Sequence, residues 1–572
     1  MDYDVAIVGG GPGGSTTGAL LRKYDPALKV LILERERFPR EHVGESQLPP
    51  IGRVLSEMGV WEKVEAAGFP IKLGATFTWG TTTEPWVFGF IPVEEVGVEG
   101  RPGAYAGWRE RVAFQVDRAR YDELLLDHAA DLGCEVRQEA RVTEVLAEGD
   151  TIRGLRLASG ETITARRYVD ASGNAAVLRR AMGVAVDAPT LLRNVAFWDY
   201  WEAPGLNAPI LERGATRVLV RSVPFGWLWY IALSEDRTSV GLVCPAAYAK
   251  SAGRRPEALY AEALALEPSL SGLLSRATSR QRLDTTTDWS FVAERTFGDN
   301  WFLCGEALGF ADPILAAGMT LTQTCARHCA YTLLELDRGR HDPAWLCAQY
   351  DGTQRRRVLQ HIRFAEYWYS ANGCFNDLQE YCAEIASHAG LKLNPTDAFR
   401  WLSTGGLDDE LGQVAIGGLD LAGVKQVQWR LHSGKENVTY AIDGKNRFTL
   451  DLDGAESATV AQLADGEIRA IPAYTRDGHV LALAGGFGLV FAALLESPRA
   501  DRLVQHIQTA FQARGIPAAE RPLVFAQVIQ CLELMANQGW VRCRVKEKEP
   551  KLELKTPREG RLIYSDKPPR SG

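Results

Sequence analysis

The sequence predicts an α/β (α+β composite) chain in which a Rossmann-like domain carries an inserted antiparallel sheet, followed by a helical segment and a small C-terminal module. Three observations lead there. An apolar strand near the N-terminus runs through a glycine-rich turn into a helix, and alternating, tryptophan-rich segments between residues 197 and 244 read as neighbouring strands. The 572 residues also exceed one hydrophobic core at ~150 residues per domain. The boundaries read as 1–185 with 286–345 for the discontinuous first domain, 186–285 for the sheet, 346–415 for the helical segment and 416–572 for the C-terminal module.

In chain order, Tyr3–Val8 is the first strand, Gly9-Gly10-Gly11-Pro12-Gly13-Gly14 the turn and Ser15–Tyr24 the helix. Gly9, Gly11 and Gly14 fit G-x-G-x-x-G, whose glycines allow a tight turn, close approach of a pyrophosphate to the backbone, and helix–strand packing. A second strand, Lys29–Leu33, ends at Glu34, where a carboxylate accepts the hydroxyls of an adenosine ribose. The fingerprint occurs once, because Gly485-Gly486-Phe487-Gly488 lacks both the spacing and the acid. One dinucleotide site, with no second domain to reduce it, implies an outside reductant. Farther along, Phe197–Trp201, Gly226–Ile231 and Ser239–Cys244 alternate like strands, while Gly318–Leu336 and Arg355–Ser370 have helical spacing. In the C-terminal module Ala458–Leu463 and Leu523–Asn537 read as helices, the second leading through Gly539-Trp540 into a charged strand, Val541–Leu554. That helix, turn and wing order resembles a small winged-helix module.

Composition narrows the function. Hydrophobic residues at 46% and charged residues at 24% describe a folded, soluble chain, and a net charge of −8 gives no footprint for nucleic acid. The apolar run Val480–Leu495 carries three glycines and falls short of the ~20 residues of a membrane span. No targeting pattern opens the sequence, so a cytoplasmic location with no membrane partner is expected. Ten cysteines without CxxC pairs argue against zinc or a disulfide framework, and Cys325 and Cys329 read as buried residues on one helix face.

From Glu34 onward the motifs become specific. Glu34-Arg35, Phe38-Pro39-Arg40 and Val43-Gly44-Glu45-Ser46-Gln47-Leu48-Pro49 resemble the FAD-binding stretch of the flavin-dependent halogenases, a family of hydroxybenzoate-hydroxylase-like flavoproteins. Gln115-Val116-Asp117-Arg118, Tyr168-Val169-Asp170-Ala171-Ser172-Gly173 and Gly305-Glu306 before Asp312-Pro313 follow in the family's order, with Glu306 standing where the family has aspartate. With Gly9, Gly11, Gly13 and Gly14, these are the residues expected to hold FAD. The match is closest to the chloramphenicol-type branch with its C-terminal extension. The resemblance implies FAD as cofactor, halide and dioxygen as co-substrates and a separate flavin reductase. It further implies a small acyl or aromatic substrate, free or tethered to a carrier protein, and a flavin hydroperoxide that oxidises chloride or bromide.

Lys72 precedes Gly74-Ala75-Thr76-Phe77 at the entrance to an apolar strand. A single lysine is ordinarily a solvated surface group, but Lys72 matches the family's catalytic lysine, which delivers electrophilic halogen. Trp227 and Trp229 project from one face of a strand and, with Ile231, match the W-x-W-x-I-P motif that keeps substrate away from the flavin; Ala232 replaces its proline. On composition alone they are a core aromatic pair. Phe310–Gly318 matches F-x-x-P-x-x-S-x-G except that Ala316 replaces the serine, leaving backbone N–H groups at Gly318 and Met319 as the anion site. Asp288 is a candidate for an ester to the flavin, or else a hydrogen-bonded strand-end carboxylate. The alanines at 232 and 316 keep an FAD monooxygenase or acyl dehydrogenase open as an alternative, and a non-catalytic flavoprotein of a biosynthetic complex is a third.

Overall fold

The computed structural model describes residues 1–79, 85–90, 112–287, 290–370, 415–416, 419–420, 440–477, 479–518 and 521–554. Two compact units divide the chain, residues 1–390 with 564–572 and residues 391–563.

Two large sheets organise the first unit. Tyr3–Val8 is the central strand of a five-stranded parallel sheet in the order Trp301–Leu303, Ala165–Asp170, Tyr3–Val8, Val30–Leu33, Glu135–Arg137. Its central segments, YDVAIV and VLIL, are nearly continuous apolar runs and largely buried, as expected of a parallel sheet covered on both faces. Helix Pro12–Tyr24 packs against helices Arg118–Asp131 and Gly318–Arg338.

The tryptophan-rich segments form the antiparallel core of a nine-stranded sheet: Asn194–Glu202 pairs with Arg237–Pro245, which pairs with Gly226–Ala232, which pairs with Ala215–Val223. This sheet does not stop at the insert. Ile71–Thr78, from the N-terminal part of the chain, joins it in parallel beside Ala215–Val223. The long helix Pro343–Ser370 packs on Gly318–Arg338 and closes this unit's described core.

In the second unit, helices Gly485–Glu496, Ala500–Ala513 and Arg521–Asn537 bury Leu489, Leu503, Ile507, Phe511 and Leu532. Strands Arg447–Leu450 and Val541–Arg544 pair beside them, so the charged strand expected to reach Leu554 is shorter. The helix expected at Ala458–Leu463 is instead a strand, Glu456–Ala464, paired with Glu467–Arg476. The missed signal was the Asp465-Gly466 dipeptide: both residues take positive φ (53° and 78°), the geometry of a two-residue hairpin turn, and β-branched Thr459 and Val460 suit the strand it folds back.

Candidate active site

A cavity of about 730 Å³ extends from the carboxyl ends of the parallel strands to one face of the mixed sheet. At its nucleotide end the glycine turn does three different jobs. Gly9 has φ +108°, and a Cβ on it would come within 2.3 Å of the Ala171 carbonyl oxygen. A Cβ on Gly14 would lie 1.9 Å from the Gly9 oxygen, so Gly14 serves the strand–helix contact and not the cavity. Gly11 is different: its nearest obstacle is Arg40 Nη2 at 3.3 Å, and it faces the cavity. Glu34, at the end of its strand, accepts from Gly10 N at 2.7 Å and Glu36 N at 3.0 Å. Each carboxylate oxygen keeps a lone pair for a ribose hydroxyl.

The next segment is clamped by charge. Arg118 Nε and Nη2 donate to the two oxygens of Asp122 at 2.7 and 2.8 Å, while Nη1 donates to the carbonyls of Val43 and Gly44. Arg40 shares the same carboxylate, with Nη1 3.4 Å from Asp122 Oδ2. Glu45 is buried, which raises its carboxyl, and it accepts from the Tyr200 hydroxyl at 2.9 Å. Burial likewise raises Glu306, which Arg118 opposes. Ser46 Oγ lines the cavity buried and without a hydrogen-bond partner; both amide atoms of Gln115, bridged to it from behind the wall, are buried and unpartnered too. Unmet polar atoms beside an open glycine turn and a ribose-accepting acid fit FAD.

At the inner end the lining becomes apolar: Ala75, Phe77, Val218, Val220, Trp227, Trp229 and Ile231, around Lys72. Strand alternation alone would put Lys72 and Ala75 on opposite faces. A bulge opposite Thr216 and Arg217 inserts Leu73 as an extra residue, and the phase shift brings Lys72 onto the face of Ala75 and Phe77. Lys72 is 2% exposed, its Nζ donates to the Gln47 carbonyl at 2.7 Å and sits 5.6 Å from the Phe90 ring centroid. Among the described residues no carboxylate pairs with it, and burial lowers its pKa to about 7. Trp227, Trp229 and Ile231 share a face by strand period. Trp229 lies across Gly241 of the next strand, where a Cβ would come within 2.2 Å of its ring.

The loop Pro313–Ala317 lines the cavity and leads into helix Gly318–Arg338, whose first residues, Gly318 and Met319, line it too. Ala316 sits in the left-handed region at φ +52°.

The profile of the FAD binding domain family matches residues 2–365. The 1H-pyrrole-2-carbonyl-(peptidyl-carrier protein) chlorinase of Pseudomonas fluorescens is 29% identical over 391 residues, 65% of this chain and 85% of that relative. A tryptophan 2-halogenase of Chondromyces crocatus is 28% identical over 451 residues, covering 77% and 81%. Among solved structures, the flavin-dependent halogenase CmlS superposes with a TM-score of 0.70 over 98% of this chain and 99% of that one, at 24% identity. The myxobacterial chondrochloren halogenase CndH gives 0.58 over 76% and 97%, at 27% identity. The chain belongs to the FAD-binding-domain family, in its flavin-dependent halogenase branch.

In this halogenase Gly9, Gly11, Gly13, Glu34, Arg35, Arg40, Gly44, Glu45, Ser46, Lys72, Arg118, Trp227, Trp229, Glu306, Pro313, Gly318 and Met319 line one cavity. Four further expected residues stand behind its wall together with Gly14. Asp170 accepts from Ser172 N and Oγ, Leu178 N and Arg179 N, which fixes the turn after its strand. Gly305, at φ +63°, makes room for Thr322. Asp312 caps the loop by accepting from Ile314 N at 2.9 Å. Gln115 is buried next to Ser46. Asp288 lies outside the described residues. The sequence reading missed Arg141 and Arg180 at the nucleotide end and Val218, Val220 and Thr286 at the inner end. No motif marks them, because each reaches the cavity only through strand pairing or a distant turn. No helix among the described residues is long and apolar enough to cross a membrane.

Proposed function

We propose that this halogenase, supplied with reduced FAD by a separate flavin reductase, oxidises chloride or bromide and delivers electrophilic halogen through Lys72 to a small acyl or aromatic group tethered to a carrier protein. Reduced FAD, when bound, supplies with dioxygen the two-electron oxidation of halide. The residues do the rest. Gly11, Glu34, Arg40, Arg118 and Ser46 hold the cofactor, and backbone N–H groups at Gly318 and Met319 favour an anion. Trp227 and Trp229 wall the inner chamber and exclude water and substrate from the nucleotide end. The observation that carries the reading is Lys72, a buried amine with one carbonyl acceptor, re-aimed by a bulge into an apolar chamber. With its pKa lowered to about 7, the amine has both forms within reach near neutral pH: the neutral form can accept halogen on nitrogen and release a proton, and the charged form can hydrogen-bond to hypohalous acid.

The tethered substrate rests on relatives whose names specify pyrrole-2-carbonyl carried on a peptidyl-carrier protein, one a chlorinase and one a brominase. Ala316, which lacks the family's serine hydroxyl, favours the second reading, an FAD monooxygenase. Incubation with a flavin reductase, NADH, bromide and pyrrole-2-carbonyl-loaded carrier protein separates the two by mass spectrometry. Brominated acyl group supports the first reading, and hydroxylated product with no bromide uptake replaces it with the second. An ester between Asp288 and FAD belongs to the same proposal. It predicts yellow colour retained in the acid-precipitated protein, and flavin wholly in the supernatant rejects it.

A further inference from the structure

We propose that Tyr369 is a positioning residue whose hydroxyl ties the indole of Trp227 to the Asp312-capped loop, and so couples cofactor oxidation to halogen transfer. This rests on the halogenase reading above. Tyr369 lies near the end of helix Pro343–Ser370 and is 2% exposed, and neither it nor Asp312 lines the cavity. Trp227 Nε1–H donates to Tyr369 Oη at 2.7 Å, and the phenol donates to Asp312 Oδ1 at 3.2 Å. Asp312 also accepts from Ile314 N and, at 3.1 Å, from Asn194 Nδ2.

A phenol has one proton to give, so once it points at Asp312 its lone pairs are directed back toward the indole. The line therefore has one orientation. At 3.2 Å this O–H···O contact has the weight of an ordinary buried hydrogen bond, and losing it removes one of the donors that Asp312 accepts. Both ends of the line are cavity walls: the Trp227 ring at the inner chamber, and the loop Pro313–Ala317 that leads to Gly318. Tyr369 is itself held from outside. Its ring meets Trp79 edge-on at 5.9 Å, Trp79 meets Trp227 at 6.3 Å, and Trp79 Nε1 donates to the Trp368 carbonyl at 3.3 Å. The packing thus supports the ring, while the hydroxyl carries a hydrogen-bonded link between the two walls.

Tyr369→Phe keeps the ring and deletes the link. In purified FAD-loaded protein it should leave FAD affinity unchanged within about twofold but alter the visible circular dichroism of bound oxidised FAD. With reduced FAD, dioxygen and bromide it should raise hydrogen peroxide released per flavin oxidised about fivefold, the scale of one lost buried hydrogen bond. Trp227→Phe should do the same from the other end, and the double variant should exceed either single by less than twofold. Wild-type dichroism with wild-type peroxide release in Tyr369→Phe, or multiplicative effects in the double variant, overturns the assignment. If Tyr369→Phe does not fold, Trp227→Phe decides by the same two readouts. A wild-type enzyme that never consumes bromide rejects the halogenase reading instead, and the dichroism still tests whether the hydroxyl sets the wall.

Discussion

The two ends of the cavity are built in opposite ways. The framework of the nucleotide end is made by neighbours in sequence, one strand, one glycine turn, one helix and the acid that ends the next strand, and Arg118, Arg141 and Arg180 are added to it from farther along the chain. The inner chamber gathers Lys72, Val218, Trp227 and Thr286 from four strands, and a bulge decides which way the amine points. The difference teaches that a phosphate cradle needs only backbone and turn chemistry, whereas a poised amine needs a tertiary scaffold to desolvate it.

Glycine substitutions break the first half of that comparison with the largest effect. Gly14→Val drives a side chain into the Gly9 carbonyl, so folded protein should be lost or destabilised by more than about 3 kcal/mol. Gly11→Val should fold normally yet lose FAD at least ~100-fold, because only Arg40 Nη2 and the cavity lie beyond it. Thermal melts of the apo-proteins and flavin titrations separate the two, and equal melting losses would refute the division of labour within the turn.

Next come changes to the amine. Lys72→Ala should bind FAD and oxidise reduced flavin but halogenate at least ~100-fold more slowly, and Lys72→Arg should not rescue it, since guanidinium cannot become neutral. Full activity in the arginine variant would eliminate halogen transfer through nitrogen. The wild-type transfer rate should rise with pH through about 7 as the amine loses its proton. Stability has its own sign. The folded pKa near 7 lies below the unfolded value of 10.5, so unfolding takes up a proton between these values and the folded state loses stability as pH falls from 10.5 to 7. Lys72→Met should therefore be more stable than wild type at pH 7, on the order of a few kcal/mol, with the gap closing toward pH 10.5. A gap that widens with pH contradicts the buried-amine geometry.

Smaller effects sharpen the inner wall. Gly241→Ala should displace the Trp229 ring and destabilise the protein by ~1–3 kcal/mol in denaturant unfolding. Wild-type stability there would mean that the indole has room to move. Ala316→Ser restores a hydroxyl at the loop and should change the halide KM by only a few-fold, with stability within about 0.5 kcal/mol. A larger gain would show that the missing serine had been limiting.

Much of this was legible in the chain. Gly9 to Gly14 and Glu34 declare the dinucleotide end because their spacing is local, and alternation in Asn194–Pro245 declares strands. Legibility failed where local cues competed. Ala458–Leu463 has helix-compatible residues, but the Asp465-Gly466 turn and a paired strand overrode propensity. Asp170, Gly305 and Asp312 match family positions, yet they face backbone donors and packed side chains behind the cavity wall, which motif order alone does not distinguish from contact with a ligand.

By itself, the sequence determined the strand, glycine turn and helix, the acid that ends the next strand and the shared face of Trp227 and Trp229, all properties with a range of a few residues. Only the tertiary structure decided that Ile71–Thr78 joins the tryptophan sheet in parallel, that a bulge turns Lys72 inward, and that Tyr369 connects Trp227 to Asp312. The physical reason is distance along the chain. Turn chemistry acts between adjacent residues, whereas desolvation of an amine and orientation of an indole depend on strands and a helix that meet only after the core has formed.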